Sequence, residues 1–194
     1  MVGTHRSVFA QSDWMRLAMT AITLFEVPPA ADEAFVAAWN RARDGGAASV
    51  LHRALREDVD FRFVDVARVS AEDFPGREIP FPSHPGLYET VHEDGAPDGT
   101  EGVVLINAFE VPPEADAAFA AGWERAREVL AAHPGYLGTR LHRSLGEADF
   151  RFVDVARWSS PLPFSKAVAR PEFRAASAAL AFPSHPALYL VTRQ

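Results

Sequence analysis

Along the chain, apolar and polar positions form short runs whose period switches between two and about 3.6. Val103 to Phe109 is almost continuously apolar, which suits a buried strand. Pro112-Pro113 ends that run and opens a helix at its first turn, where a missing N–H costs little. Over 114–132, Phe119, Gly122, Trp123, Ala126 and Leu130 recur at helical spacing, while Glu124, Arg125 and Arg127 point elsewhere. His133-Pro134-Gly135 stops this helix. Tyr136 to Leu145 and Phe150 to Trp158 read as two strands around a turn at Gly146-Glu147. A second helical region fills 161–180, interrupted at Pro171, and Ala187 to Thr192 is predicted as the last strand. The order strand, helix, strand, strand, helix, strand predicts a ferredoxin-like α+β unit.

The same pattern occurs twice. Phe25-Glu-Val-Pro-Pro29 returns as Phe109 to Pro113, and Phe81-Pro-Ser-His-Pro85 returns as Phe182 to Pro186. Nine residues, Asp60 to Arg68, return letter for letter as Asp149 to Arg157. The predicted organisation is a leader at 1–20, open to disorder, a first unit at 21–92, a solvated linker at 93–102 and a second unit at 103–194. The linker reading rests on the Gly- and acid-rich stretch from His92 to Gly102, which has no apolar period. A ferredoxin-like sheet is covered by helices on one face only, so the sister unit must bury the other. The expected architecture is therefore an internal pseudo-dimer, with further oligomerisation open. The first copy is abridged: 12 residues separate Arg68 from Phe81, against 24 between Arg157 and Phe182, which leaves little room for its second helix. Its pocket is expected to be closed or absent.

Charge and composition narrow the function. The 194 residues carry a formal charge of -7 with scattered basic residues, which argues against a nucleic-acid surface. There is no cysteine, so thiolate metal sites and cysteine nucleophiles are excluded, and no apolar run is long enough to span a membrane. A cytoplasmic location fits this chemistry. Nucleotide-binding, nucleophile-elbow and zinc-protease motifs are missing, and the histidines lack helical ligand spacing, so no metal and no bound cofactor is expected.

Candidate chemistry lies in the second unit. Alternation places Phe150, Phe152, Asp154, Ala156 and Trp158 on one strand face. An acid among aromatic rings must be paired, hydrogen-bonded or raised in pKa. His142, on the preceding strand, could face the same cavity and take a proton near neutral pH. His185 either shapes the entry to the last strand or lines the pocket. Trp158 has Val69 as its counterpart, so the scaffold does not require tryptophan there, and an aromatic wall for a flat ligand is one reading. Phe119 and Trp123 recur as Phe35 and Trp39 and read as core, with Phe119 also set beside Phe152, Phe164 and His185 as a residue facing substrate.

On these motifs the chain resembles the antibiotic biosynthesis monooxygenase family of the dimeric α+β barrel superfamily. Gly135-Tyr-Leu-Gly-Thr-Arg-Leu-His142 resembles the family strand that ends in a pocket histidine, and Asp154-Val-Ala-Arg-Trp158-Ser-Ser resembles its signature strand. Asp154 stands where the family has asparagine, and Phe164 where it commonly has tyrosine. The resemblance implies two ferredoxin-like units closing an intramolecular barrel. It also implies oxidation of an aromatic polyketide phenol or anthrone by molecular oxygen, in antibiotic or pigment biosynthesis, without flavin, haem or metal. Trp158 would then pack on the substrate rings, His142 would accept a proton or anchor a phenol oxygen, and Asp154 would orient a neighbour. Two alternatives stay open: a non-catalytic protein that binds an aromatic ligand or a pathway partner, and a non-oxidative cyclase or isomerase.

Overall fold

The computed structural model describes residues 19–42, 49–69 and 79–192. The first unit contributes β1 (Met19–Phe25), α1 (Asp32–Ala42), β2 (Ser49–Ala54), β3 (Phe63–Val69) and β4 (Ser83–Gly95). The second contributes β5 (Val103–Phe109), α2 (Asp116–Ala131), β6 (Tyr136–Ser144), β7 (Phe152–Trp158), α3 (Pro161–Val168), α4 (Pro171–Ser177) and β8 (Ser184–Val191). Each long helix follows a short 3-10 turn, Pro29–Ala31 or Pro113–Ala115, as the Pro-Pro pairs foretell. Pro171 divides the second helical region into α3 and α4.

The eight strands close a barrel in the order β1-β3-β2-β8-β5-β7-β6-β4. The closing strands carry the duplication: β4 pairs with β1 of its own unit and β6 of the other, while β8 pairs with β5 and β2. Among the described residues every strand has two neighbours, so this sheet has no open edge strand to pair with another chain. The expected intramolecular dimeric α+β barrel is the observed architecture.

Residues pointing inward from both units form one core, including Ile22, Leu24, Val64, Ile106, Val153 and the rings of Tyr88 and Tyr189. The tyrosines tie the units together. Tyr88 donates its hydroxyl to the Phe150 carbonyl at 3.2 Å, and Tyr189 to the Phe61 carbonyl at 2.9 Å. Outward positions meet the helices: Phe35 and Trp39 of α1 pack on Leu51 and Phe63, and Phe119 and Trp123 of α2 pack on Leu141 and Phe152. Buried Arg62 clamps the start of α1 through Asp32 at 2.8 Å, and Arg151 repeats the clamp on α2 through Asp116 at 2.6 Å.

Several expectations are corrected. Phe150 lies before β7 and joins the inward core, not the face of Phe152 and Asp154. The acid-rich stretch taken as the start of the linker belongs to β4, which runs on through His92, Glu93 and Asp94 to Gly95. Met19 and Thr20, assigned to the leader, open β1, and the rest of the leader, 1–18, lies outside the described residues. So do 70–78, where the first unit was expected to lack its second helix.

Candidate active site

Strand register decides which side chains can meet. In an antiparallel pair, residues directly opposite share a face. Leu141 of β6 opposes Asp154 of β7, and both face the helices; His142 opposes Val153, and both face the barrel interior. His142 is therefore separated from Asp154 and Trp158 by the thickness of the sheet, and the expectation that the three share a cavity is corrected. Its Nδ1 lies 3.3 Å from the Thr90 hydroxyl, and burial holds its pKa down at about 4, the behaviour of a neutral core histidine.

His185 is also elsewhere. It lies at one end of the barrel, where its two ring nitrogens meet Asp60 at 2.7 Å and Glu110 at 2.9 Å. His84 repeats this arrangement with Asp149 at 2.6 Å and Glu26 at 2.9 Å. Phe61 and Phe150 complete the walls of a cavity of about 540 Å³.

Asp154, Trp158, Phe119, Phe152 and Phe164 do lie on the helix side of the second unit. Trp158 is 0% exposed; its ring meets Phe164 edge-on at 5.4 Å and Tyr136 at 5.6 Å, with His133 at 6.0 Å. Its indole N–H is buried without a hydrogen-bond partner. Phe119 stacks on Phe152 at 4.3 Å beneath α2. Asp154 accepts a 2.6 Å bond from the Thr139 hydroxyl and pairs with the Trp123 indole. Burial outweighs both bonds, the charge of Asp94 adds to it, and the Asp154 pKa rises to about 6.

Two β-bulges supply the polar residues that alternation hides. One lies between Thr90 and His92 of β4, the other between Tyr136 and Gly138 of β6. An extra residue in a strand reverses which face the following side chains take. Without the first bulge His92 and Asp94 would follow Tyr88 and Thr90 into the barrel; with it, His92 opposes Leu141 and Asp94 opposes Thr139, on the helix side. The second bulge turns Tyr136 to the same side, opposite Trp158. Glycine makes this junction possible. Gly138 has φ +152, and a Cβ there would lie 2.5 Å from the Asp94 carbonyl.

The result is a polar cluster centred on Asp94. Its carboxylate accepts bonds from the Tyr136 hydroxyl at 2.6 Å, Arg127 at 2.5 Å, the Thr139 amide at 3.3 Å and His92 Nε2 at 3.4 Å. Arg127 also holds Glu124 at 2.5 and 3.0 Å, and Glu124 lies 3.8 Å from His92 Nδ1. The His92 ring stands edge-on to Trp123 at 5.0 Å. In front of this cluster a groove of about 380 Å³ runs between α2 and strands β4 and β6, floored by Trp123, Leu141 and Phe152 and rimmed by His92, Glu124 and Arg143. Among the described residues no group of three or more His, Cys, Asp or Glu side chains is arranged to hold a metal ion. No helix among them is long and apolar enough to cross a membrane.

Of the residues expected at the site, Phe152 lines this groove and Asp154 pairs with its Trp123, whereas His92, Asp94, Glu124 and Tyr136 were not singled out from the sequence. The signal available was that His92-Glu93-Asp94 follows Tyr88 at short range, whereas Tyr189 is followed by Leu190, Val191 and Thr192.

Comparison with known proteins agrees with this fold. The chain superposes on an anthrone oxidase-like protein with a TM-score of 0.74 at 17% identity, over 91% of this chain and 92% of that one. A heme-degrading enzyme from Listeria monocytogenes, LmHde, aligns with a TM-score of 0.53 at 14% identity, over 89% of this chain and 99% of that one. SnoaB from Streptomyces nogalater, a cofactor-independent oxygenase, is 31% identical over 47% of this chain and 93% of its own, with a TM-score of 0.43. No curated protein matches the chain. Residues 102–179 match the antibiotic biosynthesis monooxygenase family, and the chain belongs to that family.

Proposed function

We propose that the protein is a cofactor-independent monooxygenase that oxidises an aromatic polyketide-type phenol or anthrone with molecular oxygen. The observation that carries this reading is the aromatic-floored groove with an imidazole at its rim. Its volume of about 380 Å³ lies within the usual range for a small-molecule site, and the Trp123 and Phe152 rings suit a flat substrate. His92 takes the acidic proton of the bound anthrone, and Arg143, which also lines the groove and is paired with Glu89 at 2.6 Å, favours the anion that results. That anion is electron-rich enough to pass one electron to oxygen. The carbon radical and superoxide then join as a peroxide, and loss of water leaves a carbonyl. The sum is a CH₂ group and O₂ giving C=O and H₂O, with no external reductant.

Asp154 fixes the floor by pairing with the Trp123 indole. The hydroxyl that Phe164 lacks is present on Tyr136, which also meets Trp158 edge-on and donates that hydroxyl to Asp94. An oxygenase named as cofactor-independent, 31% identical over 47% of this chain, and the fold of an anthrone oxidase-like protein both support the reading.

The test is oxygen uptake with an anthrone, together with ¹⁸O₂ incorporation into the product. Gln in place of His92 should lower turnover by about 10²–10⁴, the usual contribution of a positioned base. Turnover unaffected by His92→Gln would overturn the assignment of the base. Product formed equally under nitrogen would show a non-oxidative reaction, and binding without oxygen uptake a ligand-binding role.

A further inference from the structure

The groove is lined mostly by the second unit, yet its imidazole and the carboxylate that meets it come from the first. Asp94 sits near the end of β4, the closing strand of the first unit, and reaches the helix side only because of the bulge after Thr90. From there it meets Tyr136, Thr139 and Arg127, all of the second unit, and His92 of its own strand.

We infer that Asp94 is the positioning residue of this site, supplied by one unit to the other: its carboxylate holds His92 with Nε2–H turned inward, leaving Nδ1 at the groove as the proton acceptor. The inference relies on the oxygenase reading for its reaction and on the observed contacts for its geometry.

The contacts fix the direction of the ring. A carboxylate accepts and does not donate, so the ring nitrogen that faces Asp94 at 3.4 Å carries a proton. In the neutral ring the other nitrogen, Nδ1, is then bare. Glu124, at 3.8 Å from Nδ1, lies beyond hydrogen-bond reach and is held by two bonds from the Arg127 guanidinium, so Asp94 is the carboxylate that the ring meets within bonding distance. Asp94 is itself kept ionised: burial would raise its pKa, but the Tyr136 hydroxyl, His92, Arg127 and the Thr139 amide together bring it below the ordinary carboxylate value. The bonds at 2.6 Å and 2.5 Å leave this carboxylate little freedom to turn, so it is a fixed reference for the longer contact to His92. Bonds of this kind in unliganded sites are commonly long and tighten when substrate arrives.

Long-range ¹H–¹⁵N correlations of His92 in the neutral ring test the arrangement without substrate. The wild-type protein should show the Nε2–H form, and Asp94→Asn should give a mixture of the two tautomers. Tyr136→Phe, which removes one bond to Asp94 but keeps its charge, should retain the wild-type form. In turnover, Asp94→Asn should lower kcat/KM by up to about 10⁴-fold, the cost of the wrong tautomer at a general-base histidine, with little change in KM. A wild-type ring found as Nδ1–H, or a tautomer unmoved in Asp94→Asn, would overturn the inference. A tautomer that shifts as expected in a protein that consumes no oxygen with anthrone would support the positioning and reject the oxygenase reading.

Discussion

Replacing Asp154 by asparagine removes a buried charge while nearly preserving the shape of the side chain. In the wild type the carboxyl ionises at about 6 in the fold against 3.8 for an ordinary aspartate, burial being the main cause. A raised carboxyl pKa means that the folded protein binds this proton more tightly than the unfolded chain. Stability is therefore lost as pH rises from about 4 through about 6 and stays lost above. The difference of roughly two pH units corresponds to about 3 kcal/mol at pH 8 and roughly 1.5 kcal/mol at pH 5. Asparagine escapes this penalty and keeps the local bonds. Its Oδ1 can accept from Trp123, and its amide can donate to the Thr139 hydroxyl, which can turn its own proton to the Val155 carbonyl at 3.3 Å. Urea unfolding at the two pH values is the assay, with an unchanged slope as the condition for reading the midpoint as stability. The gain in the asparagine variant should be about twice as large at pH 8 as at pH 5. A variant that is equally or less stable at pH 8, with no dependence on pH, would refute the view that Asp154 is a buried charge under strain.

Other perturbations separate structural from functional roles. Asp32→Ala should cost about 3–5 kcal/mol because it strands the buried Arg62 guanidinium, whereas Asp116→Ala, whose partner Arg151 is more exposed, should cost clearly less in the same urea assay. Trp158→Val should lose about 3–5 kcal/mol as a core truncation, so its loss of turnover would say little. Trp158→Phe should be nearly neutral in thermal unfolding, since removal of an unpartnered buried N–H, worth about 1–3 kcal/mol, offsets the lost contact area. At the end of the barrel, burial opposes the charged forms of His84 and His185, but Glu26 with Asp149, and Asp60 with Glu110, prevail and raise both pKa values. Their contribution is then full below about 6.5 and lost as pH climbs through the raised values, so melting temperature should fall above neutrality in the wild type and less steeply in His84→Gln/His185→Gln.

What could be read from the sequence was whatever depended on period and repetition. The duplicated blocks gave the pseudo-dimer, the Pro-Pro pairs marked the helix starts, and alternation put Phe152, Asp154 and Trp158 on the helix side of β7. What could not be read depended on register between strands. His142 and Leu141 are neighbours in sequence, and only the pairing of β6 with β7 decides which of them joins Asp154; a shift of one residue exchanges their faces. The same holds more strongly for His92 and Asp94. Their stretch has the composition of a linker, and its role as strand is fixed by partners on β6, far along the chain. A bulge leaves no periodic trace, because it is a break in the period.

The crossing of β4 into the second unit shows what fusion of two copies allows. In an ordinary homodimer every substitution appears twice, so a strand cannot serve one half without altering the other. Within one polypeptide that constraint disappears. The first copy keeps its aromatic packing on α1 but ends in His92-Glu93-Asp94, while the second copy keeps Trp158 and follows Tyr189 with apolar residues. Two copies of the second half alone could still close a ring of eight strands. Neither of its two grooves would contain the imidazole or its carboxylate, so this arrangement needs both halves of the chain.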